Sequence, residues 1–442
     1  MTDRAPAVAA DPAAPLFFRF RSNVGDHVLI VPYSRVFDIS PDAGDFTSLD
    51  LEAEVLDTPA VGEASLEAIA EPNPQSISLN ISSSCNLTCG YCYAARGNFG
   101  GAQPAPMEWA TAQAAIDRLV TEAEPSAPIT IGFLGGEPFV NRRLLHRAVE
   151  YAASLGARQR LDIRFSVTTN GTLLEPTDIA LLRAHPFAVT VSLDSGAETH
   201  DRQRPRHGGL GGSWKVAIGC VGPLLAAPGR AKVAARATVT RTNLDIATAL
   251  ETLTGLGFPE AGFAPLRVGL RGSGALRDED WPNYLVSLIA ASKSELDRLS
   301  RGLPIRLTNL AVALKQIHRG AASPYPCGAG GGYFSVSAGG RWYACHRAIG
   351  NETYALGSNN GIDATRRRQF VRTRHVHAQP ECRTCWARYL CSGGCHQEAG
   401  ARSAASCDFI RGWLSFCLAA YCELGGPLAG LPATSPYPTE EI

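Results

Sequence analysis

The chain has 442 residues, 45% of them hydrophobic and 19% charged, which is the profile of a globular protein too long for a single ordinary core. Lys plus Arg and Asp plus Glu each total 41, so no overall field draws the chain to nucleic acid or to a membrane surface. No apolar run reaches the roughly 18–20 residues of a spanning helix. The opening MTDRAPAVAADPAAP has Asp and Pro where a signal peptide needs an apolar stretch, so a short disordered arm and a cytoplasmic location are expected. Thirteen cysteines in such a chain point to metal rather than disulfides, because cytosolic thiols stay reduced.

In chain order, the runs Phe17 to Arg21 and His27 to Val31 flank Asn23-Val24-Gly25-Asp26, a hairpin signal. Helical turns are expected at 46–56 and 64–69, completing a small strand–helix module within residues 1–75. A barrel-covering extension without a binding role is the bland alternative for it. From 76 to 310, apolar strands at 76–81, 129–134, 163–168, 188–193, 234–240 and 262–268 alternate with helix-like stretches such as 109–122 and 142–155. Six such units predict an α/β fold with a parallel sheet, a partial (β/α)6 barrel, with a doubly wound sheet left open. In barrels, chemistry sits at the C-terminal ends of the strands. Beyond 325, Gly and Cys become dense and periodicity thins, so this part of the final unit, 311–442, is expected to lack a conventional core and to depend on metal.

Just after the first barrel strand comes Cys85-Asn86-Leu87-Thr88-Cys89-Gly90-Tyr91-Cys92, a C-x3-C-x2-C loop. Cubane iron–sulfur clusters usually take four thiolates. Three on one loop leave an iron for an external ligand, whereas structural zinc closes with four protein ligands. Together with Leu134-Gly135-Gly136-Glu137-Pro138 after the second strand, this loop resembles the radical S-adenosylmethionine (SAM) superfamily. The resemblance implies that Cys85, Cys89 and Cys92 hold a 4Fe–4S cluster whose free iron chelates the methionine moiety, and that reductive cleavage yields a 5′-deoxyadenosyl radical. It further implies cofactor contacts from Tyr91, Gly135, Gly136, Glu137 and Pro138, with the Gly-Gly-Glu-Pro element accepting hydrogen bonds from the methionine ammonium. Asn170 in Thr168-Thr169-Asn170-Gly171, and Ser192 and Asp194 in Ser192-Leu193-Asp194, resemble cofactor-contacting strand ends. Arg204 matches an arginine that reaches the cofactor carboxylate.

The later cysteines read C-x12-G-x4-C from Cys327 through Gly340 to Cys345, then C-x2-C-x5-C-x3-C from Cys382 through Cys385 and Cys391 to Cys395, and lastly Cys407. This pattern resembles the SPASM extension of radical SAM enzymes and implies two auxiliary 4Fe–4S clusters, three clusters in all. By that resemblance Cys382, Cys385, Cys391 and Cys407 hold one, and Cys327, Cys345 and Cys395 the other. Residues 318–326 lack the cysteine that supplies a fourth thiolate in many relatives. The second auxiliary cluster is therefore expected either to keep an open iron or to be closed by Cys220, Cys417 or Cys422, which otherwise read as buried small hydrophobes.

Tyr343-Ala344-Cys345-His346-Arg347 and Cys385-Trp386-Ala387-Arg388-Tyr389-Leu390-Cys391-Ser392-Gly393-Gly394-Cys395-His396 resemble maturases that install cysteine thioethers in ribosomal peptides (ranthipeptides), and the maturase of the quinohemoprotein amine dehydrogenase small subunit. The N-terminal module resembles their winged-helix-like leader-binding domain, which takes an extended peptide by strand addition. The implied activity is thioether crosslinking of a precursor peptide with a leader, driven by a flavodoxin- or ferredoxin-type electron donor. The alternatives are carbon–carbon crosslinking, dehydrogenation or epimerisation, a small-molecule radical enzyme, and a non-catalytic electron-transfer or scaffold protein. Sulfatase maturation is disfavoured because His346 stands where the resemblance places a catalytic Asp.

Overall fold

The computed structural model describes residues 14–40, 72–99, 105–268 and 274–425. The expected helical turns at 46–56 and 64–69 lie outside these. At the N-terminus, β1 (Phe17–Ser22) and β2 (Gly25–Ile30) form the anticipated hairpin, with Ser22 opposite Gly25 across an Asn23-Val24 turn. A third strand, β3 (Arg35–Ile39), pairs antiparallel with β2. It was not anticipated, because five residues, with Val36 and Phe37 adjacent, show no alternation.

The main sheet begins at β4 (Ser76–Ser82) and runs through β5 (Ile129–Gly135), β6 (Ile163–Thr169), β7 (Phe187–Ser192), β8 (Lys232–Val239) and β9 (Ala261–Pro265), each parallel to the next in chain order. Helices α1 (Trp109–Glu122), α2 (Arg142–Gln159), α3 (Pro176–Ala184), α4 (Ala197–Gln203), α5 (Trp214–Ala226) and α6 (Ile246–Gly255) make the crossovers. A doubly wound sheet would reverse its strand order at a switch point. This one does not, so the partial barrel stands.

Local pattern accounts for these elements. On α1, Ala112, Ala115, Ile116 and Leu119 are buried at three- and four-residue spacing, the stripe that packs on a sheet. On β4, Ile77, Leu79 and Ile81 sit in the core, while Ser78, Asn80 and Ser82 alternate onto the other face, also buried. One face of the sheet is therefore apolar and the opposite face polar. Ser78 Oγ meets the hydroxyls of Tyr333 at 2.7 Å and Ser335 at 2.9 Å there.

After α7 (Trp281–Ser300) and α8 (Thr308–Arg319), the chain returns to this sheet. Strand β10 (Tyr333–Val336) pairs parallel with β4, and β11 (Arg341–Tyr343), β12 (Ala355–Ser358) and β13 (Gly361–Ile362) extend it antiparallel. Phe334, Val336, Trp342 and Leu356 join the same hydrophobic core as the barrel strands. The expectation that this region lacks a core is thus corrected. Its strands are too short for a period to show. Helix α9 (Ala364–Arg374) is followed by the short α10 (Pro380–Arg383), which carries Cys382, and α11 (Arg388–Cys391), which ends on Cys391. They lead to α12 (Ala404–Glu423), whose N-terminus is closed by a Ser403/Ser406 capping box and which packs on α7, α8 and β1. No helix among the described residues is long and apolar enough to cross a membrane.

Candidate functional site

The loop after β4 is pinned from both sides. Thr88 N donates to Pro205 O at 2.9 Å, Gly90 N to Gln203 O at 3.2 Å, and His207 N to Asn86 O at 2.9 Å. Leu87 N and Asn170 Nδ2 both point at Cys85 Sγ, at 3.4 and 3.8 Å. Asn170 Nδ2 also donates to Asn86 Oδ1 at 2.9 Å, and its own Oδ1 accepts from Thr172 N at 2.9 Å. Cys89 and Cys92 are the thiols that neighbour Cys85. Burial pushes Cys85 up to about 12 and Cys89 up to about 11, so these thiols become thiolates only against a strong positive centre.

The Gly-Gly-Glu-Pro element packs directly on this loop. Gly136 N donates to Ser82 O at 2.8 Å and Glu137 N to Ser84 O at 2.9 Å. A Cβ at Gly136 would lie 2.3 Å from Ser84 O, and one at Gly135, where φ is +150°, would lie 2.3 Å from Ser82 O. The glycines are thus required first by the cysteine loop itself. Glu137 is buried, and its carboxylate turns inward to accept from Thr169 Oγ1 and Asn170 N, both at 2.7 Å, and from Phe139 N at 3.2 Å. Burial pushes it up to about 7 despite these three donors. The structure thus directs the Glu137 side chain to the end of β6 rather than towards a ligand. Pro138 begins the 3-10 turn that follows. Beside Gly135 lies Asn80 Oδ1, a buried acceptor with no hydrogen-bond partner.

At the ends of β7 and β8 a second network closes the site. Asp194, fully buried, takes two hydrogen bonds from Arg204, Nε to Oδ2 at 3.0 Å and Nη2 to Oδ1 at 3.2 Å. It also accepts from Tyr91 OH at 2.6 Å and Thr238 N at 2.9 Å. The Arg204 guanidinium lies over the Tyr91 ring at 5.2 Å and faces Cys89. Arg204 therefore spends two of its three nitrogens on Asp194, where the resemblance led us to expect a cofactor carboxylate as its partner. Ser192, half-buried at the end of β7, keeps its hydroxyl unengaged.

His200, not singled out from the sequence, is fully buried beside the Asp194–Arg204 pair. Ser213 Oγ donates to Arg204 O, so His200 Nε2–H donates to Ser213 Oγ at 2.9 Å and Nδ1 accepts from Asp194 N at 3.2 Å. Its place one helical turn before Arg204 was the available signal. For Asn80 and Thr238 the signal was a polar residue inside an apolar strand.

The later cysteines gather in the two expected sets. Cys345 neighbours Cys395 and Cys327, and Cys391 neighbours Cys382, Cys385 and Cys407. Basic and imidazole groups face the sulfurs. Arg402 Nη1 donates to Cys382 Sγ at 3.0 Å, Arg347 Nη1 reaches Cys395 Sγ at 3.6 Å, and His396 Nε2 lies 3.3 Å from Cys345 Sγ. None of these three donors was anticipated, although His396 and Arg347 stand within two residues of a cysteine. The proposed closers lie elsewhere. Cys220 donates to Thr172 O at 3.7 Å beside the barrel, Cys417 is fully buried in α12, and Cys422 stands beside His27 and Asp38. His346 Nδ1 meets Tyr333 OH at 3.0 Å, and its ring lies 5.9 Å from that of Tyr93, so it stands between the two cysteine regions.

This arrangement fits the groups that the resemblance implied: three neighbouring thiols without a fourth, and an orphaned acceptor beside Gly135. Residues 79–221 match the radical SAM superfamily, and this stretch contains the loop, the Gly-Gly-Glu-Pro element and Arg204. The chain carries a radical SAM domain. Over 340 residues, 73% of this chain and 79% of the relative, it is 25% identical to the serine-type anaerobic sulfatase-maturating enzyme of Klebsiella aerogenes. Its fold is similar to that of native anSMEcpe with bound AdoMet, with a TM-score of 0.65 at 18% identity over 79% of this chain and 99% of that one. It is also similar to Streptococcus suis SuiB bound to precursor peptide SuiA, with a TM-score of 0.54 at 12% identity over 84% and 82% of the two chains.

Proposed function

We propose that this chain is a peptide or protein maturase that cleaves SAM reductively and closes an intramolecular crosslink, a Cys sulfur-to-carbon thioether, in a ribosomally made substrate. The observation that carries this reading is the grouping of Cys327, Cys345 and Cys395 while each of the other ten cysteines is placed elsewhere. Three thiolates on a cubane leave one iron to hold a substrate sulfur. Cys85, Cys89 and Cys92 hold the radical cluster in this reading, and with SAM bound that centre supplies a carbon-centred oxidant. Around it, Asn80 Oδ1 and the backbone at Gly135 and Gly136 take the methionine ammonium. The Ser192 hydroxyl and the remaining nitrogen of Arg204 face the rest of the cofactor. Cys382, Cys385, Cys391 and Cys407 hold a further cluster, an auxiliary cluster takes up the leftover electron, and a flavodoxin- or ferredoxin-type donor supplies the electron that cleaves SAM.

The proposed units are residues 1–75 for substrate recognition, 76–310 for radical generation and 311–442 for the auxiliary clusters. Strand β3 is one of the two outer strands of the N-terminal sheet and largely exposed, an edge to which an extended leader adds as a strand, whereas β1 packs on α12. Peptide-bound forms of SuiB and anSMEcpe support a peptide substrate for this architecture.

The test is incubation of the reduced enzyme with SAM and candidate precursors, followed by mass spectrometry. The reading expects loss of two hydrogens, loss of one alkylatable thiol, and 5′-deoxyadenosine in step with product. Deoxyadenosine without a mass change in any peptide defeats it. The 25% identity to a serine-type sulfatase-maturating enzyme favours a second reading, modification of a protein side chain without a crosslink, although His346 speaks against it; a product that keeps every alkylatable thiol would support it.

A further inference from the structure

One group of metal-competent side chains stands apart from both cysteine regions. His27 and Asp38 are directly opposite one another on β2 and β3, so both side chains leave the sheet on one face. Cys422, in the last turn of α12, meets them there. A ring nitrogen, a carboxylate oxygen and the sulfur all lie within 4.8 Å of one another. Among the described residues no other His, Cys, Asp or Glu trio is this tight, so the spacing here is that of a single ion rather than a cluster.

The hydrogen bonds sharpen this. His27 is 2% exposed, with Nε2 2.7 Å from Ser22 Oγ and Nδ1 2.8 Å from Asp38 Oδ1. Ser22 Oγ already accepts from Val24 N at 3.2 Å. When Nε2–H donates to Ser22, the Nδ1 lone pair faces the Asp38 carboxylate oxygen, a repulsive approach that a cation bound to both atoms from one side would relieve. A histidine that donates its far N–H to a fixed partner while presenting the other nitrogen is the usual posture of a metal ligand. The competing arrangement has Nδ1–H donating to Asp38 and Ser22 donating to Nε2, and it leaves Cys422 without a purpose.

We propose that His27, Asp38 and Cys422 bind one zinc-class divalent cation that fastens the N-terminal sheet to the end of α12. The nitrogen, oxygen and sulfur donor set suits zinc, with water completing the tetrahedron. The ion would reinforce an existing contact, since Asn23 N already donates to Glu423 Oε1 at 3.0 Å beside it. This site is independent of whatever the iron–sulfur regions catalyse.

The experiment uses the cluster-loaded enzyme, dialysed against zinc chloride and then metal-free buffer, with zinc and iron measured by elemental analysis. Wild type is compared with Asp38→Asn and Cys422→Ser. Asp38 is 89% exposed through its side chain, so its substitution leaves the fold intact. The expected result is one zinc per chain in wild type, at least tenfold less in both variants, and equal iron throughout. In hydrogen exchange, zinc should slow the β2 and β3 amides of wild type only. Equal zinc in wild type and Asp38→Asn, or no zinc in wild type, overturns the assignment.

Discussion

The ring of Phe18 on β1 lies flat against that of Trp386, with centroids 3.7 Å apart and 3° between the planes. Trp386 directly follows Cys385, so the N-terminal sheet rests on the loop that carries the second cysteine region. Phe18→Ala should cost about 1–3 kcal/mol from lost stacking and half-burial. Hydrogen exchange should quicken in β1 to β3 and not in β4 to β9. If peptide docking uses this sheet, KM rises while kcat holds.

Asp194→Asn leaves the Arg204 guanidinium buried without its counter-charge. Breaking one partner of a buried pair costs about 3–5 kcal/mol. Denaturant unfolding should show that loss, and Asp194→Asn with Arg204→Met should recover part of it. If the double variant is no better than the single one, the pair is not coupled as the geometry requires.

Arg402 brings a positive N–H to Cys382 Sγ at 3.0 Å. Hydrogen bonds and charge near cluster sulfurs raise reduction potential. Arg402→Gln should lower the potential of the cluster proposed for Cys382, Cys385, Cys391 and Cys407. At fixed solution potential its reduced-to-oxidised ratio should fall by about tenfold, equal to about 59 mV for one electron. Redox titration followed by electron paramagnetic resonance checks this, with the other centres as internal controls.

His200 is buried and lowered to about 4, by burial first and then by Arg204. Its folded value is depressed below the ordinary value of about 6.5, so the unfolded chain binds the extra proton first. The stability contribution is therefore complete above pH about 6.5 and is lost as pH falls towards 4, at roughly 3 kcal/mol in full. Denaturation midpoints between neutral pH and pH 5 should fall for wild type, with a shallower slope for His200→Gln.

The six barrel strands and their helices were legible because each is long enough to display its period, and the observed strands begin or end within three residues of those expected. The division of the later cysteines into two neighbouring sets was expected from the family resemblance that their spacing carries. What could not be read was where polar side chains point. Glu137 and Arg204 were expected to face a ligand, yet Glu137 clasps Thr169 and Arg204 clasps Asp194, partners that only the closed fold brings near. Strands β3 and β10 to β13 escaped because two to five residues show no repeat. His396 and Arg402 escaped because a contact to sulfur leaves no trace in linear order.

The pairing of β10 with β4 joins Ser78 to Ser335, 257 positions along the chain. During synthesis the first barrel strand must wait with one margin bare until Tyr333 to Val336 have emerged. Bare margins of this kind recruit other molecules. Anyone isolating the radical-generating portion by cutting near residue 310 would create that hazard permanently, and should obtain aggregates rather than a smaller working enzyme.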